Sequence, residues 1–73
     1  MDNDQRCARI REIEAQPTGM ITVAQIQEEL ILLAELCTIL GINWRAYNEF
    51  ATWRLKMLTA LKANGIDLIS AEA

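Results

Sequence analysis

The fold is decided by residues 22–42, which read TVAQIQEELILLAELCTILGI. Thr22 precedes Gln25 by three residues, the spacing of a capping box that satisfies two free backbone donors where a helix begins. Apolar residues then recur at spacings of three and four, at Val23, Ile26, Leu30, Leu33, Cys37 and Leu40. Gly41 is expected to end the helix as a left-handed cap. The segment therefore predicts a helix over residues 23–40, with an apolar seam for packing against another helix.

The flanking residues predict two further helices. The first covers residues 4–15 and is capped by Asn3 or Asp4. The other covers residues 44–63 and has one polar face and a wide apolar arc. Because short turns separate the three helices, we expect neighbouring helices to pack closely. The chain, residues 1–73, is thus predicted to be one all-α domain: three helices built on a central antiparallel hairpin of the second and third.

The composition favours a protein that works by contact and not by catalysis. The chain has 73 residues and therefore a small interior, yet 52% of its residues are apolar. Part of this apolar surface is expected to be covered by a partner. The chain has no histidine, which removes the commonest general base and nitrogen metal ligand. We expect no enzymatic activity, no metal and no cofactor.

The charge and the apolar pattern also bear on location. The chain starts MDND, acidic where a secretory signal would be basic. Its most apolar stretch, residues 30–42, is interrupted by Glu35 and Thr38 and falls short of the roughly 18 apolar residues of a membrane span. The net charge of −3 argues against a nonspecific nucleic-acid binder. These features predict a cytoplasmic protein that does not enter the membrane.

One face of the second predicted helix indicates protein binding. This face lies opposite the seam and is polar in the first turns of the helix and apolar in its later turns. Its residues form the predicted protein-binding site: Glu28, Glu29, Leu32, Glu35, Leu36 and Ile39. An apolar patch bordered by acids would suit a basic and apolar partner segment. The alternative is that the first helix or the C-terminal tail covers the apolar members of this face.

Arg54 and the tryptophans form a second notable feature. Arg54 lies within the apolar arc of the third predicted helix, where an unpaired guanidinium would be very costly. Glu35 on the facing helix is its predicted partner. The aromatic residues of the third predicted helix recur at a spacing of three, so they lie at different angles around the helix axis and cannot all be buried equally. Trp44 or Trp53 is therefore expected to be partly exposed. Tryptophan and arginine often dominate interface energies, which keeps a binding role open.

A helix-turn-helix is the competing interpretation. The segment Leu33–Thr52 resembles that motif, and its turn, LGIN at residues 40–43, is similar to the turn of Fis-type domains. The second helix of the motif would then present four residues to DNA: Arg45, Asn48, Glu49 and Thr52. The acidic chain and the few basic residues beside the turn argue against this reading.

Taken whole, the chain resembles small bacteriophage-encoded inhibitors of bacterial RNA polymerase. The resemblance rests on the short length, the MDND start, the helix-rich apolar body and the lack of catalytic residues. It implies a regulator in the host cytoplasm that binds polymerase, interferes with sigma-factor engagement and inhibits transcription initiation. It assigns no contact residues. A third hypothesis is a structural assembly protein whose apolar surplus forms a homodimer interface.

Overall fold

The computed structural model describes residues 1–47 and 52–68. These ranges contain three α-helices, α1 (Asn3–Glu14), α2 (Val23–Ile39) and α3 (Trp53–Ala63), and two 3-10 turns, Thr18–Met20 and Trp44–Ala46. No strand occurs within the described ranges, and the predicted all-α class is confirmed. The central helix is α2, which packs against both α1 and α3. That α2 and α3 run antiparallel as a hairpin stays a prediction.

Capping boxes begin the first two helices, and both lie within one residue of their predicted bounds. In α2, the Gln25 amide donates to the Thr22 hydroxyl at 3.1 Å, and the Thr22 amide donates to the Gln25 side chain at 3.0 Å. This is the predicted cap. In α1, Asp2 is the cap and pairs with Gln5 in the same reciprocal manner, so the prediction of Asn3 or Asp4 is wrong by one or two residues.

The ends of α2 and α3 follow the predicted glycine pattern. Gly41 has a φ of 77°, and the next amide, that of Ile42, donates to the carbonyl of Cys37 at 2.8 Å. This hydrogen bond closes a loop of six residues and satisfies a carbonyl oxygen that has no partner within the helix. Gly65, with a φ of 88°, follows α3 in the same way.

The third helix begins at Trp53 and not at Trp44, so its predicted range, residues 44–63, is wrong. Trp44–Ala46 forms a single 3-10 turn, and Tyr47 is extended. The indole rings of Trp44 and Trp53 meet edge to face at 5.7 Å. In one continuous α-helix these two residues would be about 13.5 Å apart along the axis, so the ring contact contradicts the single helix predicted over residues 44–63. Residues 48–51 lie outside the described ranges.

The core stripe of α2 overlaps the predicted seam only in part. Leu33 and Cys37 are buried as expected, but Val23 is 72% exposed and Leu40 is 41% exposed. The buried apolar residues are Ile10, Ile13, Leu32, Leu33, Leu36, Cys37, Met57, Leu58, Leu61 and Leu68. Because α2 has α1 on one side and α3 on the other, it needs a buried stripe wider than the seam of a single helix pair.

Replacing Gly41 with alanine is expected to destabilise the fold by about 1 kcal/mol, because an L-residue is strained in the left-handed region. The matched control is Gly19→Ala. An added methyl group meets no atom within 4 Å at either glycine, and only Gly41 has a positive φ. Gly19→Ala is therefore expected to leave stability unchanged or slightly higher. Urea unfolding followed by tryptophan fluorescence measures both, and equal midpoints would contradict the strain argument.

Candidate protein-binding groove

An open apolar groove lies beside α2, on a face turned away from the core stripe. It consists of two adjoining hollows that share Ile31, Ala34 and Trp44. One hollow is almost wholly apolar and is completed by Gln27, Leu30, Trp53 and Met57. The other has a charged end and is completed by Arg6, Glu35, Thr38, Ile39 and Arg45. We call the two together the α2 groove.

The helical repeat explains why these side chains share one wall. Gln27, Ile31, Ala34 and Thr38 follow one another at spacings of four, three and four, which places them on one face of α2. Ile31 is 61% exposed and Ile39 is 53% exposed. Two large aliphatic side chains thus border the groove while still in contact with water, which is the kind of surface that a partner covers.

The opposite wall is aromatic and fixed in place. The Trp44 indole donates to the Thr38 hydroxyl at 3.0 Å, and the Trp53 indole donates to the carbonyl of Tyr47. Both tryptophans are half-buried, as the sequence predicts for at least one of them. Because both indole N–H groups are bonded and the rings brace each other, little side-chain entropy remains for a ligand to remove.

The charged end of the α2 groove carries a net positive charge. Arg6 donates to Glu35 at 2.8 Å, so these two charges offset each other. The Arg45 guanidinium lies 4.7 Å from the centre of the Trp44 ring and is exposed to solvent. Among the described residues, no carboxylate forms an ion pair with Arg45. Arg45 is therefore the charge available to a ligand at this end.

The predicted protein-binding face is largely inside the protein. Leu32 is 6% exposed, while Leu36 and Glu29 are fully buried. Ile10 of α1 belongs to the same apolar cluster as the two leucines, so the first helix helps to cover them, as the alternative supposed. The prediction that these three residues form a docking surface is wrong, because a residue without exposed surface cannot contact a partner.

The other three members of that predicted face remain at the surface. Ile39 lines the α2 groove. Glu28 accepts two hydrogen bonds from Arg9, at 2.8 and 2.9 Å, and Arg9 thereby lowers the pKa of Glu28. Glu35 is paired with Arg6. Since arginines of α1 already offset both acids, the expected preference for a basic partner segment loses its physical basis.

The two predicted DNA-contacting residues that the structure describes, Arg45 and Thr52, do not lie in an α-helix. Arg45 lies in the 3-10 turn, and Thr52 is half-buried just before α3 begins. Asn48 and Glu49 lie outside the described residues. A helix-turn-helix requires its second helix to start near Trp44, where the chain makes one 3-10 turn and then extends. The helix-turn-helix prediction is therefore wrong at the start of its second helix.

Four groove residues on one face of α2 were not predicted as site residues, although the sequence contains a signal for them. Gln27, Ile31, Ala34 and Thr38 have the spacing of a helix face, but two of them are polar, so the face is less apolar than the predicted seam. The exposure of Ile31 becomes evident only when the orientation of α2 between its neighbours is known.

A cluster of ionisable side chains joins the three helices, with Glu29 buried and Arg54 partly exposed. Arg54 of α3 donates through Nε to Glu14 of α1 at 2.9 Å and to Glu29 of α2 at 3.0 Å. The predicted Glu35–Arg54 pair is therefore wrong. One carboxylate oxygen of Glu29, Oε2, is buried without a hydrogen-bond partner. Burial, together with the neighbouring carboxyl group of Glu14, raises the pKa of Glu29 to about 8.

No protein family, curated protein or solved structure matches this chain. Within residues 1–47 and 52–68, no group of three or more histidine, cysteine, aspartate or glutamate side chains is placed to hold a metal ion. None of the helices in the described part of the chain is long and apolar enough to cross a membrane.

The pKa of Glu29 makes stability pH-dependent. The unfolded carboxyl group ionises near its ordinary pKa of 4.5, whereas the folded one keeps its proton to about pH 8. Between pH 4.5 and pH 8 the folded state binds more protons than the unfolded state. Each increase of one pH unit in this window therefore lowers the free energy of unfolding by up to about 1.4 kcal/mol. Glu29→Gln is expected to remove this decline and to raise the urea midpoint at pH 8 relative to the wild type.

The matched control is Glu28→Gln, on the same helix and one residue away. Arg9 lowers the pKa of Glu28, so this carboxylate contributes stability above its ordinary pKa and loses it as the pH falls. Removing it is expected to leave the decline towards pH 8 intact. If the midpoints of the wild type and Glu29→Gln differ by the same amount at every pH from 5 to 9, the proposed titration is contradicted.

Proposed function

We propose that this chain is a protein-binding regulator that docks a partner segment in the α2 groove. The observation that carries the proposal is the exposure of Ile31 and Ile39 beside the braced pair Trp44 and Trp53. Aromatic side chains fixed next to exposed aliphatic ones resemble the central residues of protein interfaces, where most of the binding energy is concentrated.

The chemistry of the groove supports binding to a protein surface. Among the described residues that line the apolar hollow, only Gln27 has a polar side-chain group beyond the two indoles. Those indole N–H groups are bonded within the chain. Such a surface gains free energy mainly by covering apolar area, which a protein segment with apolar side chains supplies.

We further propose bacterial RNA polymerase as the partner, on the strength of the resemblance to small phage-encoded polymerase inhibitors. Binding there would interfere with sigma-factor engagement and inhibit transcription initiation. Ile31, Ile39 and Trp44 are the residues through which we expect this contact to be made. Nucleic-acid binding is not favoured, because the described chain lacks a second helix at the position that the motif requires.

The variant Ile31→Asp is expected to reduce retention of purified RNA polymerase by the tagged chain at least about tenfold, the usual effect of losing a central apolar contact. The matched control is Leu55→Asp. Leu55 is 64% exposed, close to the 61% of Ile31, and does not line the groove. Because both side chains are largely exposed, both variants are expected to fold.

A pull-down with core enzyme and with holoenzyme measures retention, and a promoter-initiation assay measures inhibition. Wild-type chain that retains neither form of the enzyme would contradict polymerase as the partner. Equal losses for Ile31→Asp and Leu55→Asp would contradict the α2 groove as the docking site. A homodimer seen by sedimentation and broken by Ile31→Asp would assign the groove to a second copy of the chain.

A further inference from the structure

We propose that the occupant of the α2 groove is an amphipathic helix of a partner protein that places a carboxylate against Arg45. This inference rests on the proposed function and specifies its ligand. It reverses the sequence-based expectation of a basic partner segment. Three features of the groove support it: its length, the state of its polar atoms, and the charge at its Arg45 end.

The length of the groove fits a short helix. From Gln27 to Thr38 the wall of α2 covers eleven residue steps, which corresponds to about 16 Å, or three helical turns. A helix that lies in such a groove presents apolar anchors at positions i, i+4 and i+7. Ile31 and Ala34 lie near the middle of this wall, where such anchors would pack.

The bonding of the polar atoms in the groove favours a helix over an extended strand as the occupant. The Thr38 hydroxyl donates to the carbonyl of Ala34 at 2.8 Å and accepts from the Trp44 indole, so it has no proton left to donate to a ligand. Gln27 is the one amide side chain among the described residues of the apolar hollow, so an extended segment would bury most of its backbone N–H and C=O groups without partners, at considerable cost. A helix satisfies its own backbone and avoids this cost.

The charge at one end selects an acidic helix. Arg6 is paired with Glu35, whereas Arg45 has no ion-pair partner among the described residues. Stacking on Trp44 holds the Arg45 guanidinium beside the apolar wall, so a carboxylate could pair with it at little further loss of side-chain entropy. A chain with a net charge of −3 would thus prefer a ligand of the same overall sign.

The test uses three synthetic helical peptides that share leucine anchors at i, i+4 and i+7 and lack tryptophan and tyrosine. They carry glutamate, glutamine or lysine in the terminal turns. Binding is followed by the fluorescence of Trp44 and Trp53. We expect the glutamate peptide to bind about threefold to fivefold more tightly than the glutamine peptide, the upper part of the range of an exposed ion pair, with the lysine peptide weakest. Salt at 300 mM should narrow these differences.

Two variants with the same change of charge give the control. Arg45→Glu is expected to reverse the order so that the lysine peptide binds best. Lys62→Glu, at an exposed position in the last turn of α3, is expected to keep the original order. Equal affinities for all three peptides, a preference of the wild type for lysine, or a reversal by both variants would overturn the inference.

The outcomes separate this inference from the proposed function. If no peptide binds while Ile31→Asp still abolishes retention of polymerase, the helical acidic occupant is wrong and the docking groove stands. If the peptides bind in the expected order and polymerase is not retained, the ligand chemistry stands and the assignment of polymerase is wrong. A homodimer that is seen by sedimentation and broken by Ile31→Asp would show that a second copy of the chain occupies the groove, and would overturn the inference of a partner helix.

Discussion

The hydrogen bond from the Trp44 indole to the Thr38 hydroxyl is the interaction on which the α2 groove depends. It ties the chain that leaves α2 back onto the last turns of that helix. Trp44 then meets Trp53 edge to face, so the start of α3 is drawn to the same place. Gly41 ends α2, and this polar contact then holds Trp44 beside the helix, where the two indole rings form the aromatic wall of the α2 groove.

The distribution of charge follows from where the acids are buried or paired, and the net charge alone does not predict it. The chain is acidic overall, yet Glu29 is enclosed at the junction of the three helices and shares Arg54 with Glu14. Glu35 is occupied by Arg6. Because these acids are engaged within the fold, Arg45 determines the local sign at the end of the groove, where the effective dielectric is lower than in bulk water.

The sequence predicted the features that depend on local chemistry. The capping box at Thr22 and the left-handed glycine at Gly41 were predictable because a cap requires only a few neighbouring residues. The bounds of α3 and the partner of Arg54 were not, because both depend on contacts between residues distant in sequence. The prediction of the docking face was wrong for the same reason, because a rotation of α2 about its axis by part of a turn moves Leu36 from the surface to the core.

The exposed face of α2 follows from how many neighbours one helix can have in a chain of this length. A packed neighbour covers an apolar stripe about 100° wide, so α1 and α3 together cover about 200° of the circumference of α2. Ile31 and Ala34 lie in the remaining sector, beside the tryptophans. A helix supplied by a partner would fill that sector and form, together with α1, α2 and α3, a four-helix arrangement. Such a site needs no catalytic group, because covering apolar surface is sufficient to hold the partner.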